Sequence, residues 1–291
     1  MMMKIYIIVK DYNKINKLGH LKKNLFNKIK NDYNIIITDK IIYDTNSIYL
    51  IIKNYSILVK NIIDELKKLN NKIIFQPIDF DIDFHRCKKR INKLIHIFNV
   101  DMLIFNSNYH QKRYKKQLRK SSAPENLKYT YIFHEYDERI KPTHKVNEIY
   151  YIGNLNKTSL KKDDFDMYNI KILQIGKRVI DYTYTSIHID FVLENHPYYL
   201  FHTSTKLATA LITNSIFICN RIPIYVELLG NNYEYYLEDD KSNFNLIINK
   251  AFNTFNNDNL YEKYLKSIKN VKLLLSHKEI LNKYIDIFNT I

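Results

Sequence analysis

Cysteine is nearly absent from this chain: Cys87 and Cys219 are the two among 291 residues. They exclude a disulfide framework and a cysteine-based zinc site, and they fit a reducing compartment. Glycine is almost as scarce, at four, while Lys, Asn, Ile and Tyr abound, a composition of the kind an AT-rich genome imposes. No run of about 18 apolar residues occurs, so no membrane-spanning helix is expected. Met1 to Val9 is broken by Lys10 and Asp11 before it reaches the length of a signal sequence. The expectation is a soluble, cytoplasmic protein. No His-Glu-x-x-His, no Walker-type loop and no Gly-x-Ser-x-Gly elbow is present, and no internal repeat of fixed period.

Acidic residues are outnumbered. Thirty Asp and Glu against 45 Lys and Arg give a formal charge of +15. Such an excess suits nucleic acid or an anionic membrane surface. The lysines are spread over most expected helices, however, and compositional drift toward Lys gives the same sum. Attraction to anionic surfaces is therefore expected to be weak and incidental, with no specific nucleic-acid partner. At 46% hydrophobic residues the chain can build real cores. Its length suits two domains or one large α/β unit.

The order of apolar runs and amphipathic stretches supports that class. Runs at Lys4–Val9, Ile35–Ile37, Ser47–Ile52, Lys72–Phe75, Asp101–Phe105 and Tyr129–Phe133 read as strands. Between them, helices are expected from His20 to about Lys30 and at Ile57–Leu69, Phe84–Phe98 and Asn108–Arg119. This alternation argues for a doubly wound parallel sheet. The polar stretch His134–Asn147, with Pro142, reads as a connection to a second block. Glu148–Ile152, Asn169–Ile175 and Ser186–Val192 are the next strands, and helices are expected at Asn243–Phe252, Asp258–Leu275 and Lys278–Phe288.

The second block centres on Phe201 to Cys219. Thr203, Ser204 and Thr205 offer oxygens to the orphan amides of a helix start. Leu207, Ala210 and Leu211 form an apolar stripe, Asn214 suits a left-handed cap, and Ile216–Cys219 reads as a buried strand. A polar loop is expected after it, carrying Arg221, Tyr225 and Glu227. A hydroxyl-rich helix start followed by Lys206 joins free amides, a positive dipole end and a cation, which together suit an anion. Locally, an ordinary capped helix explains the same residues.

Thr-Lys-Leu-x-x-Ala-Leu-x-x-Asn-Ser-Ile-Phe-Ile-Cys, residues 205–219, resembles the donor-binding segment of GT-B glycosyltransferases. Asn214 stands where that family has Gly, and Ile216 where it has Pro; the glutamate of many retaining members is replaced near Thr209. Ile149 to Asn154 and Ile172 to Arg178 resemble the first two strands of the same domain, and the resemblance spans residues 148–230. It implies an α/β fold of GT-B type: two Rossmann-like doubly wound domains facing a central cleft, with a C-terminal helix crossing back. The domains expected are 1–143 for an acceptor, 144–276 for a nucleotide-sugar, and 277–291 for the returning helix. By the resemblance, Gly153, Asn154, Lys177, Arg178, Thr203, Ser204, Thr205, Lys206, Arg221, Tyr225 and Glu227 would line the donor site. The pyrophosphate would lie on Lys206 and the helix amides.

The resemblance implies transfer of a sugar to an acceptor hydroxyl of a glycan, a protein or a small molecule, with no cofactor and no metal. Asp79-Phe-Asp-Ile-Asp83 contains an Asp-x-Asp, which in GT-A enzymes holds a divalent metal. A helix N-cap before Phe84 explains it equally. A further use is catalytic: Asp79, Asp81 or His85 could deprotonate the acceptor hydroxyl. Gly19 and His20, after the first strand, are acceptor-side candidates, and His134 and Arg139 lie where GT-B chains enter the donor domain. Two alternatives stay open: a non-catalytic basic nucleic-acid-binding protein on a GT-B-like scaffold, and a nucleotide-sugar epimerase.

Overall fold

The computed structural model describes residues 3–13, 18–53, 60–78, 99–119, 124–173, 184–196, 199 and 203–291. The chain divides into two compact units: Met1–Phe133 together with Leu281–Ile291, and His134–Ile280.

The first unit is built on a six-stranded sheet, β1 (Ile5–Val9), β2 (Ile35–Thr38), β3 (Ile48–Ile52), β4 (Lys72–Gln76), β5 (Met102–Phe105) and β6 (Lys128–Tyr131). All pairs are parallel and the order is β2-β1-β3-β4-β5-β6. Every residue of β1 and β3 is buried, as unalternated Ile-rich runs require when a sheet is covered on both faces. Helices α1 (Leu18–Asn27), α2 (Lys60–Lys68) and α3 (Asn108–Arg119) are described, and α1 stops short of the expected Lys30. The expected helix at 84–98 lies outside the described residues. Tyr284, from the last helix α9 (His277–Thr290), belongs to this unit: its hydroxyl donates to Gln76 Oε1 at 2.6 Å and its ring meets Phe26 edge-on.

The second unit holds β7 (His144–Ile152), β8 (Ile170–Leu173), β9 (Tyr184–Asp190), β10 (Ile216–Asn220) and β11 (Tyr236–Leu237). The strands are parallel, in the order β11-β10-β9-β7-β8. Helices α4 (Lys162–Met167), α5 (Thr205–Ile212), α6 (Pro223–Leu229), α7 (Phe244–Asn256) and α8 (Asp258–Leu274) accompany them. The structure departs from two expectations. The connection read over 134–147 ends earlier, because His144–Asn147 already pair in β7, with a register irregularity between Lys145 and Ile149. The polar loop expected after the central strand is instead α6. Pro223 occupies its first turn, where a fixed φ and a missing amide cost nothing.

Numbered within each unit, the first sheet has the order 2-1-3-4-5-6 and the second 2-1-3-4-5. Winding therefore reverses between β1 and β3, and again between β7 and β9. Ligands of open parallel sheets bind outside the carboxyl ends of the strands at such a reversal. Asn214 supplies the left-handed turn (φ 56°) that ends α5 and sends the chain into β10. Its carbonyl accepts from Tyr261 at 2.6 Å and its side chain from Lys272 at 2.7 Å, so the turn is tied to α8.

Candidate functional site

Four residues meet at the reversal of the second sheet. Tyr151 and Gly153 come from the carboxyl end of β7, Asp190 is the last residue of β9, and Lys206 lies in the first turn of α5, on the crossover that follows β9. The Lys206 ammonium lies 2.5 Å from Asp190 Oδ1 and 2.9 Å from the Tyr151 hydroxyl, and stands 4.2 Å over the Tyr151 ring. Tyr151 in turn donates to the Asn154 carbonyl at 2.8 Å. Asp190 Oδ2 accepts from the Tyr225 hydroxyl at 2.6 Å. Its carboxylate has no exposed surface, while the Lys206 side chain keeps 14%.

A buried carboxylate is tolerated only when paired and hydrogen-bonded. Here the partners include one ammonium and one phenol. Burial pulls the Lys206 ammonium below the ordinary lysine range, and Asp190 opposes that pull. Burial, reinforced by Asp190, drives both the Tyr225 and Tyr151 phenols well above the usual tyrosine range, so both remain protonated donors. Lys157, on the turn after β7, adds a second positive charge acting on Lys206.

Gly153 explains the access to this cluster. Its φ is 146°, a region that L side chains rarely adopt, and a Cβ there would stand 3.2 Å from Lys206 Cε. The helix beside it starts without a side-chain cap and without acidic residues in its first turn. Ser204, expected to cap it, is buried, and its hydroxyl both accepts from the His134 amide at 3.1 Å and donates to the His134 carbonyl at 3.2 Å. Thr203 and Thr205 share a hydroxyl–hydroxyl bond of 2.7 Å. Among the described residues, no N-cap side chain takes the first-turn amides, which lie next to an ammonium.

The remaining expected residues are dispersed. Asn154 caps the short turn after β7 by accepting from the Asn156 amide at 2.9 Å. Arg221 donates to the Asn231 carbonyl at 2.7 Å and stacks 4.4 Å over Tyr236, toward β11. Tyr225 is fully buried on α6, and Glu227 is half-buried on the same helix. In the first unit, a Cβ on Gly19 would stand 2.1 Å from the Lys10 carbonyl oxygen, so this glycine lets α1 rest on the chain just past β1; the His20 ring meets the Tyr12 carbonyl at 3.2 Å. Asp79, Asp81, His85, Lys177 and Arg178 lie outside the described residues. Among the described residues, no group of three or more His, Cys, Asp or Glu is placed to hold a metal ion, and no helix is long and apolar enough to cross a membrane.

Sequence reading missed Asp190 and Tyr151. The signal for Asp190 was present: the run Ser186–Val192 was read as a strand, and a carboxylate in a strand that packs into a core demands a partner. Nothing local names Lys206 as that partner.

No protein-family model matches the chain, and no curated sequence is similar to it. Among solved structures, HepE of Anabaena in complex with UDP and glucose matches over 100% of both chains, with a TM-score of 0.55 and 8% identity. A mutant of S. aureus TarM, in complex with fondaparinux, α-GlcNAc-glycerol and UDP, matches with a TM-score of 0.48 and 14% identity. That match takes in 84% of this chain and 56% of TarM. The fold expected from residues 148–230 is the fold found: two Rossmann-like parallel α/β units of GT-B type.

Proposed function

We propose that the chain is a glycosyltransferase that binds a nucleotide-sugar on its second unit and transfers the sugar to an acceptor hydroxyl. The observation that carries this reading is the meeting of Gly153, Lys206 and the uncapped start of α5 at the β7/β9 reversal. Backbone amides, a cation and a missing side chain converge there, as binding of a diphosphate requires. The GT-B neighbour HepE holds UDP and glucose on the same fold.

In the proposed reaction the bond from the sugar's anomeric carbon to the diphosphate oxygen breaks and a bond to the acceptor oxygen forms. The acceptor proton passes to a base, and the nucleoside diphosphate leaves with the negative charge. Lys206 and the first-turn amides would stabilise that charge as it develops, without a resident metal. Lys177, Arg178, Arg221 and Glu227 are proposed to contact the nucleotide or sugar, and Asp79, Asp81 or His85 to act on the acceptor.

A thermal-shift screen with nucleotide-sugars and bare nucleotides, with and without Mg or Mn, tests the reading. Stabilisation by one nucleotide-sugar family, independent of metal and lost in Lys206→Ala relative to that variant's own baseline, is expected. Absence of any nucleotide shift, with salt-dependent stabilisation by duplex DNA or RNA, would replace it with the nucleic-acid-binding alternative. A sugar altered without an acceptor would point to epimerisation.

A further inference from the structure

A lysine that meets a diphosphate has to be both charged and aimed, and burial works against the charge. Lys206 is mostly buried, and Lys157 repels its ammonium. The only carboxylate bonded to it among the described residues is that of Asp190. Asp190 is itself immobilised, because its second oxygen holds Tyr225, whose ring packs edge-on against Phe217 at 5.0 Å.

We infer that Asp190 is a positioning residue of the donor site: its buried carboxylate holds the Lys206 side chain as a fixed ammonium against Gly153, where a diphosphate would sit. Asp190 never touches the ligand. Two of the three Lys206 protons go to Asp190 and Tyr151, and the third has no acceptor among the described residues. That third proton is the one available to an anion. The inference rests on the donor-site reading of the same cluster.

The groups that set the charge of Lys206 are identifiable. Asp190 of β9 favours the ammonium, and Lys157 and burial oppose it. Tyr151 of β7 is held as a neutral phenol. Around Asp190, Tyr225 of α6 is likewise neutral, and burial and Asp190 push the Cys219 thiol of β10 up, against the opposing charge of Arg221. Replacing Asp190 by Asn therefore removes the carboxylate that, among the described residues, favours the Lys206 ammonium.

The test is calorimetric titration with UDP between pH 6 and 8, each variant being compared with wild type at the same pH so that the ligand's own titration cancels. Asp190→Asn is expected to bind about tenfold more weakly than wild type at pH 8, with the gap narrowing toward pH 6 as the uncompensated lysine regains its proton. Lys206→Met is expected to bind weakly at both ends, with no such narrowing. Tyr225→Phe keeps the charge and loosens its support, so it is expected to lose about threefold in affinity equally at every pH. This variant also decides the matter if Asp190→Asn does not fold. Wild-type affinity with an unchanged pH profile in Asp190→Asn, or in Tyr225→Phe where only that variant folds, overturns the positioning role and leaves the donor site standing. Failure of wild type to bind UDP or any other nucleotide overturns both.

Discussion

Tyr225 donates its hydroxyl to Oδ2 of Asp190 at 2.6 Å, from a position with no exposed surface. A residue expected to line the donor site thus meets the cluster through a carboxylate. Tyr225→Phe removes a hydrogen bond to a charged, buried acceptor, which costs about 1.5–3 kcal/mol. Urea unfolding is expected to show that loss at neutral pH. An unchanged midpoint would mean that the bond contributes nothing.

Lys206→Ala strands the Asp190 carboxylate. Breaking a buried pair by removing one partner costs about 3–5 kcal/mol, more than the pair itself stabilises. The double variant Lys206→Ala with Asp190→Asn is expected to be more stable than Lys206→Ala alone, because the uncompensated charge is gone. Additive losses in this double-mutant cycle would sink the coupling.

Gly153→Ala is expected to damage ligand binding more than stability. The φ of 146° adds strain of about 1–3 kcal/mol for a residue with a Cβ. That Cβ would also press on Lys206 Cε from 3.2 Å, displacing the ammonium. Gly230→Ala is the control: its φ of 80° is also unfavourable, but a Cβ there meets nothing within 4 Å. Comparable thermal destabilisation, with loss of the nucleotide-induced shift in Gly153→Ala alone, is the expected pattern.

Much of this fold was legible because its strands are unalternated Ile-rich runs. Asn108–Arg119 was bounded to the residue, and Asn214 was identified as a left-handed turn from its chemistry alone. Helix α6 was not, because Arg221 to Glu227 reads as a polar loop unless Pro223 is given weight as a helix opener. The site was half legible. Lys206 and Gly153 were named separately, yet they are 53 positions apart in sequence and only the parallel topology brings them together. Asp190 escaped because a single sequence shows a buried charge without showing what neutralises it.

His188 is a buried histidine with a displaced proton affinity. It lies inside β9, 3% exposed, and burial pushes its imidazole down to about 3 from an ordinary value of 6.5. The folded state therefore binds this proton less readily than the unfolded chain. Stability from the neutral ring is fully present above pH 6.5 and is lost as pH falls toward 3. The slope is about 1.4 kcal/mol for each pH unit below the unfolded value, so going from pH 7 to pH 5 costs about 2 kcal/mol from this residue. His188→Gln is neutral throughout and is expected to lose about 2 kcal/mol less than wild type over that interval, measured by urea unfolding at both pH values. Equal losses in the two proteins would show that His188 binds its proton in the folded state as it does in the unfolded one. The strand that ends at Asp190 would then be far more accessible to water than its packing implies.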